Sequence, residues 1–168
     1  HSIMKDLKNK VVWITGASSG IGEALAYAMA EQGAHLILTA RNSEKLHQIK
    51  DTCLKNTKHV TVQAMDLLNI QDMDTAVKAM IAKTGRIDVL INNAGRSQRS
   101  LAKETPLTND RNIMELNFFS PVALTKAVLP HMLKNNVGHI VVVSSISGKF
   151  GFPWRTACTH RSRNSADS

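Results

Sequence analysis

The chain has 168 residues, enough for one domain; 43% are apolar and only 4% aromatic, so the core must be aliphatic. The 21 Lys and Arg against 13 Asp and Glu leave a net charge of +8, which suits nucleic acid, an anionic membrane surface or a phosphate-rich cofactor. The absence of a long basic run and the scarcity of stacking aromatics argue against nucleic acid, and no apolar run is long enough to span a bilayer.

The two cysteines, Cys53 and Cys158, form no CxxC pair, and the histidines are scattered without metal-ligand spacing. That usage favours a reducing compartment, and a cytoplasmic location is expected. The chain begins at His1 rather than Met, so an upstream segment, a membrane anchor included, stays open.

A first strand is expected over about Lys10–Thr15, from the apolar run Val11-Val12-Trp13-Ile14. It runs into Thr15-Gly16-Ala17-Ser18-Ser19-Gly20-Ile21-Gly22, and then into an apolar helix from about Gly20 to Gln32, with Gly33 suited to its C-terminal cap. Gly16 suits a tight turn that a Cβ would resist. Gly20 would let the backbone approach a pyrophosphate, and Gly22 would let helix and strand pack closely. The helix N-terminus offers unpaired N–H groups and partial positive charge to an anion. Three glycines alone also fit an ordinary strand-to-helix turn; the strand before and the helix after favour the phosphate cradle.

The second strand is His35–Thr39, followed by a polar helix from about Ser43 to Leu54 with Ser43 as a candidate N-cap. The third strand is Val60–Ala64, and its helix runs over about Ile70–Lys83, ending near Gly85. The fourth strand is Ile87–Ile91, and the fifth is His139–Ser144. The strands are Val/Ile/Leu-rich and barely alternate, as strands buried on both faces do. Strand–helix alternation with short connections implies a doubly wound α/β fold with a mainly parallel sheet.

Between the last two strands, an apolar stretch from about Asp110 to Leu133 reads as a helix that Pro121 kinks or interrupts. Its apolar residues cover most of the circumference, so it needs burial on more than one side. One side faces the sheet. The other calls for a homo-oligomer contact, or for further parts of the same chain. The final segment, Arg155–Ser168, is polar and aperiodic, and is expected to be disordered.

Four further signatures stand behind the glycine turn. Asp66-Leu67 follows the third strand, Asn92-Asn93-Ala94-Gly95 follows the fourth, Asn117 lies in the long apolar stretch, and Val141-Val142-Val143-Ser144-Ser145-Ile146-Ser147-Gly148 closes the fifth strand. With these five motifs in order, the chain resembles the short-chain dehydrogenase/reductase family over about residues 8–157.

The resemblance implies an NAD(P)-binding Rossmann domain over residues 1–157, three layers α/β/α with about five strands and the family's C-terminal strands missing, and a tail at 158–168 outside the family. It implies hydride transfer between a nicotinamide and a carbonyl or alcohol carbon of a small molecule. Gly16, Ser18, Ser19, Gly20, Ile21 and Gly22 would hold the cofactor with Asp66, Leu67, Asn93, Ala94 and Gly95. Asp66 would accept from the adenine amino group, or merely cap the following segment. Asn93 would hold a strand end, or be a plain turn residue.

At the end of the second strand, Thr39-Ala40-Arg41-Asn42 carries no carboxylate for a ribose 2′-OH. Arg41 instead offers a guanidinium suited to a 2′-phosphate, which favours NADP(H) over NAD(H); the plain alternative is a surface arginine at a helix entrance.

The pattern then breaks. Ser145 and Asn117 match the family's catalytic serine and asparagine, but Cys158 stands where the family's tyrosine is expected and Ser162 where its lysine is. The only tyrosine, Tyr27, lies in the first helix. A thiol is a poor substitute for the supported phenol, so the chain is expected to be an inactive dinucleotide-binding piece, truncated or frameshifted relative to an active enzyme. A basic interaction module on the same fold is the other alternative.

Overall fold

The computed structural model describes residues 6–93, 111 and 118–143. Ala94, Gly95, Asn117, Ser145, Cys158 and Ser162 lie outside them, as do the proposed domain boundary at 157 and the tail at 158–168. Five strands, β1 (Val11–Thr15), β2 (His35–Thr39), β3 (Val60–Val62), β4 (Val89–Asn92) and β5 (His139–Val142), alternate with helices α1 (Gly20–Glu31), α2 (Ser43–Cys53), α3 (Met73–Thr84) and α4 (Ser120–Asn135). The strands form one sheet in the order β3-β2-β1-β4-β5, and every adjacent pair is parallel. This is the doubly wound α/β arrangement expected from the alternation, with its reversal of strand order between β1 and β4.

Both faces of β1, β2 and β4 are apolar because both are covered. Val12 and Ile14 of β1, with Leu36 and Leu38 of β2 and Val89 and Ile91 of β4, pack with Ala26, Met29 and Ala30 of α1 and Leu46 and Ile49 of α2. Val11 and Trp13, with Ile37 and Leu90, pack with Met73, Val77 and Met80 of α3 and Leu124, Val128 and Met132 of α4. Residues i and i+1 point to opposite faces, so a run such as Val-Val-Trp-Ile feeds two cores at once and shows no period of two.

Several expected boundaries shift, each for a local reason. The N-cap of α2 is Asn42, not Ser43: Asn42 Oδ1 accepts from Lys45 N at 3.0 Å. Asparagine reaches the third residue's N–H as well as serine does, and it stands one position earlier. The third strand ends at Val62, although Gln63 N and Met65 N still donate to Leu38 O and Ala40 O. A single 3-10 turn, Ile70–Asp72, precedes α3, which ends at Gly85 with φ +85.

Pro121 falls in the first turn of α4, a position that suits proline; residues 110 and 112–117, the start of the expected helix, lie outside the described residues. Pro130 is the proline that lies inside the helix. Buried Leu124, Val128 and Met132 mark the inner side of α4, while Phe118, Phe119, Val122 and Leu133 are exposed. Over residues 118–133 the apolar side chains thus fall on one covered and one uncovered side; the stretch from 110 to 117, apart from 111, lies outside the described residues. No helix among the described residues is long and apolar enough to cross a membrane.

At the amino edge of the sheet, buried Asp88 ties β1 to the entry of β4: its carboxylate accepts from Val11 N at 2.8 Å and from Arg86 Nε at 2.9 Å. That edge is built for stability. The carboxyl edge carries the glycine turn.

Candidate functional site

The strands β1 and β2 end in register on two buried threonines, Thr15 and Thr39. Both hydroxyls are used. Trp13 Nε1 donates to Thr39 Oγ1 at 2.8 Å, and Thr15 Oγ1 donates to Ile91 O at 3.3 Å while accepting from Asn93 N at 2.9 Å. Ala17 N donates to Thr39 O at 3.1 Å, so the glycine turn is pinned to β2 as it leaves β1.

Within the turn the glycines divide the work as their positions suggest. Gly16 and Gly20 have φ +60 and +55, a region that side chains resist. A Cβ at Gly22 would stand 2.0 Å from Gly16 O and 2.6 Å from Asn93 Nδ2, so only glycine lets α1 press against the strand end. A Cβ at Gly20 would meet nothing within 4 Å: this is the open side of the cradle. The N-cap of α1, Ser19, is extended and its side chain makes no capping bond. Among the described residues no side chain caps the first-turn N–H groups of Gly20, Ile21 and Gly22, and the positive end of the helix dipole lies behind them, an arrangement suited to an anion. Ser18, Ser19 and the exposed Ile21 side chain border the same opening.

Asn93 crosses the switch point between β1 and β4. Its Nδ2 donates to Gly16 O at 3.3 Å while its own N–H is held by Thr15. This is the strand-holding role, made with a specific partner. Asp66 is exposed beyond β3, and its Oδ1 accepts from Leu68 N at 3.0 Å. The turn-capping alternative is thus realised with one carboxylate oxygen. Leu67 is buried, and its carbonyl accepts from Ser120 Oγ of α4; its side chain belongs to the core rather than to an open site.

Arg41 follows β2 at the same edge. It is exposed and makes no ion pair with another described residue. Tyr27 cannot reach the strand ends: it sits on α1 and donates to Glu23 Oε2 at 3.2 Å. Burial foremost, then the charge and hydrogen bond of Glu23, holds its phenol above the ordinary tyrosine range.

Four contributors carry no site role in the sequence reading. Thr15 and Thr39 anchor the turn, Ser120 anchors the start of α4, and buried Asn92 donates from Nδ2 to Thr125 Oγ1 at 3.1 Å, tying β4 to α4. The available signal was a hydroxyl closing an otherwise apolar strand, at Thr15 and at Thr39. For Ser120 and Thr125 there is none, since their partners lie far away in sequence.

A parallel sheet with a glycine cradle and an uncapped helix N-terminus at its switch point defines a nucleotide-binding α/β protein. A family model for short chain dehydrogenases matches residues 10–159. The chain is 45% identical over 152 residues to the human dehydrogenase/reductase SDR family member 7, an alignment covering 88% of this chain and 45% of that protein. Among solved structures, a metagenomic short-chain oxidoreductase in complex with NADP superposes with a TM-score of 0.80 at 31% identity, covering 88% of this chain and 67% of that one. A 7 alpha-hydroxysteroid dehydrogenase complexed with NADH and 7-oxo glycochenodeoxycholic acid superposes with a TM-score of 0.77 at 30% identity, covering 83% of this chain and 54% of that one.

The chain belongs to the short-chain dehydrogenase family, a family of NAD(P)-dependent oxidoreductases. It spans about half the length of the curated relatives it matches.

Proposed function

We propose that this chain binds NADP(H) in the manner of a carbonyl–alcohol oxidoreductase and does not itself complete the hydride transfer. One observation carries the binding half: Gly22 lies against the Gly16 carbonyl and Asn93, while the Gly20 side of the turn stays open beneath uncapped N–H groups. Ser18, Ser19, Gly20, Ile21 and Gly22 hold the pyrophosphate there. Asp66 Oδ2, left over from the turn bond at Oδ1, accepts from the adenine amino group. Asn93 takes part in holding the cofactor, and the family resemblance adds Ala94 and Gly95 to that set. Arg41 meets the 2′-phosphate, and the absence of a carboxylate at residues 39–42 supports NADP(H) over NAD(H).

When bound, the nicotinamide supplies or accepts hydride. The chain's part is to place the cofactor and to manage the proton. In that scheme Ser145 polarises the carbonyl of a small-molecule substrate and Asn117 positions a water. With Cys158 and Ser162 at the tyrosine and lysine positions, no supported phenol exists to donate the proton, a contribution worth roughly 10²–10⁴ in rate. A cytoplasmic setting and self-association through the uncovered side of α4, where Phe118, Phe119 and Val122 are exposed, complete the proposal.

Calorimetric titration with NADPH and NADH, beside a turnover assay over aldehydes and ketones, tests it. We expect tighter binding of NADPH, loss of that preference in Arg41→Ser, and no turnover. Turnover by the wild-type chain would refute the inactive reading, and equal affinity for the two nucleotides would refute the role of Arg41.

A further inference from the structure

At the sheet edge that carries the glycine turn and Arg41 lies a small charged network that the cofactor reading leaves unused. Glu23, in the first turn of α1, pairs with Lys45, in the first turn of α2, at 3.3 Å between Oε1 and Nζ. Its other oxygen, Oε2, accepts from the Tyr27 hydroxyl at 3.2 Å. Both oxygens of this carboxylate are thus held, one by a neutral donor and one by a cation. The Lys45 backbone N–H donates to Asn42 Oδ1, the N-cap bond of α2, and Asn42 directly follows Arg41.

The two helices start at the carboxyl ends of strands paired Thr15↔Thr39, so this ion pair sits at the sheet edge that also carries the glycine turn and Arg41. Glu23 and Lys45 are only partly buried, with side chains 23% and 40% exposed. A pair so exposed contributes little to folding. Its charges matter more to an incoming anion. The remaining nearby acid, Glu44, is exposed and makes no ion pair among the described residues.

Resting on NADP(H) binding at this site, we propose that Glu23 and Lys45 tune the choice between the two nucleotides. Glu23 is a carboxylate that opposes the 2′-phosphate, and Lys45 is the cation that cancels it and adds to the pull of Arg41. Glu23 has its own reason to be there, since an acid in a first helical turn favours the helix. Placed unscreened beside a phosphate site, it would repel. Lys45 carries three donors on a flexible stem, so it can hold Glu23 and the 2′-phosphate together, or leave one for the other.

The test is calorimetric titration of the 168-residue chain and its Lys45→Gln, Glu23→Gln and double variants with NADPH and with NADH. For one unit charge several ångströms from a phosphate in a high dielectric, Lys45→Gln weakens NADPH binding about three- to tenfold. Glu23→Gln tightens NADPH binding, the double variant returns close to wild type, and Lys45→Arg keeps the wild-type ratio. NADH affinity stays within about twofold throughout. The shifts shrink as salt is raised from about 0.05 to 0.5 M, because the Debye length contracts. Melting curves confirm that these surface variants fold.

Parallel shifts in both nucleotides would mean a merely structural pair and would overturn the inference. So would an NADPH preference lost in Arg41→Ser but unmoved by Lys45→Gln and Glu23→Gln, an outcome that leaves the site reading standing. A wild-type chain without NADPH preference would bring down both.

Discussion

Gly22→Ala gives the sharpest check on the site. An alanine Cβ would stand 2.0 Å from Gly16 O, 2.7 Å from Gly16 C and 2.6 Å from Asn93 Nδ2, where ordinary contact begins near 3.4 Å. Two of the three atoms are backbone, in a turn pinned to β2 through Ala17 N and Thr39 O, so they cannot yield as a flexible side chain would. Overpacking of this kind costs about 1–3 kcal/mol, and loss of the Asn93–Gly16 hydrogen bond adds about 1 kcal/mol.

At about 2–4 °C per kcal/mol for a chain of this size, the melting temperature falls by roughly 5–15 °C. Nucleotide binding is lost with it, because the displaced Gly16 carbonyl closes the cradle. Gly20→Ala is the control. Nothing lies within 4 Å of its Cβ, but φ is +55, so strain is limited to about 1–2 kcal/mol; NADPH binding still falls because the methyl group occupies the open side. Melting by circular dichroism and titration calorimetry read both effects. A Gly22→Ala chain that melts within about 2 °C of wild type and binds NADPH undiminished would refute the packing argument.

Burial first, then the charges of His59, Arg86 and Lys58, holds His35 below the ordinary histidine range. The unfolded chain therefore takes up a proton at His35 before the folded chain does. Its stabilising contribution is full above the unfolded value of about 6.5 and is lost as pH falls below it. Urea melts at neutral and mildly acidic pH should show that slope in wild type and a flatter one in His35→Gln; an unchanged slope would contradict it. Burial pushes the Cys53 thiol up to about 11, so iodoacetamide should label this site only once the chain unfolds, as read by peptide mass spectrometry; prompt labelling of the native chain would be inconsistent with a closed core. Thr39→Val leaves the buried Trp13 indole N–H without its acceptor, at a cost of about 1–3 kcal/mol, visible as a lower urea midpoint with near-unchanged Arg41-dependent NADPH preference.

The order of elements and the cradle were legible because their causes are local. A run of aliphatics, a Gly-rich turn and a helix in direct succession leave few alternatives for residues 11–31, and His35–Thr39 matched the observed strand residue for residue. Where the reading slipped, a nearer competitor won: Asn42 capped α2 before Ser43 could. The Leu67 side chain lies in the core with residues of α3 and α4.

By itself, the sequence determined the alternation of buried strands and covering helices, the glycine positions that side chains would block, and the lack of a carboxylate after β2. These depend on neighbours within a few residues. Only the tertiary structure decided that Asn93 bonds back to Gly16 and Thr15, that Thr39 receives the Trp13 indole, that Ser120 reaches the Leu67 carbonyl, and that Glu23 meets Lys45 across two helices. Such partners are chosen by strand order and register. A parallel sheet that reverses between β1 and β4 brings residues nearly eighty positions apart to one edge, and no local pattern encodes that meeting.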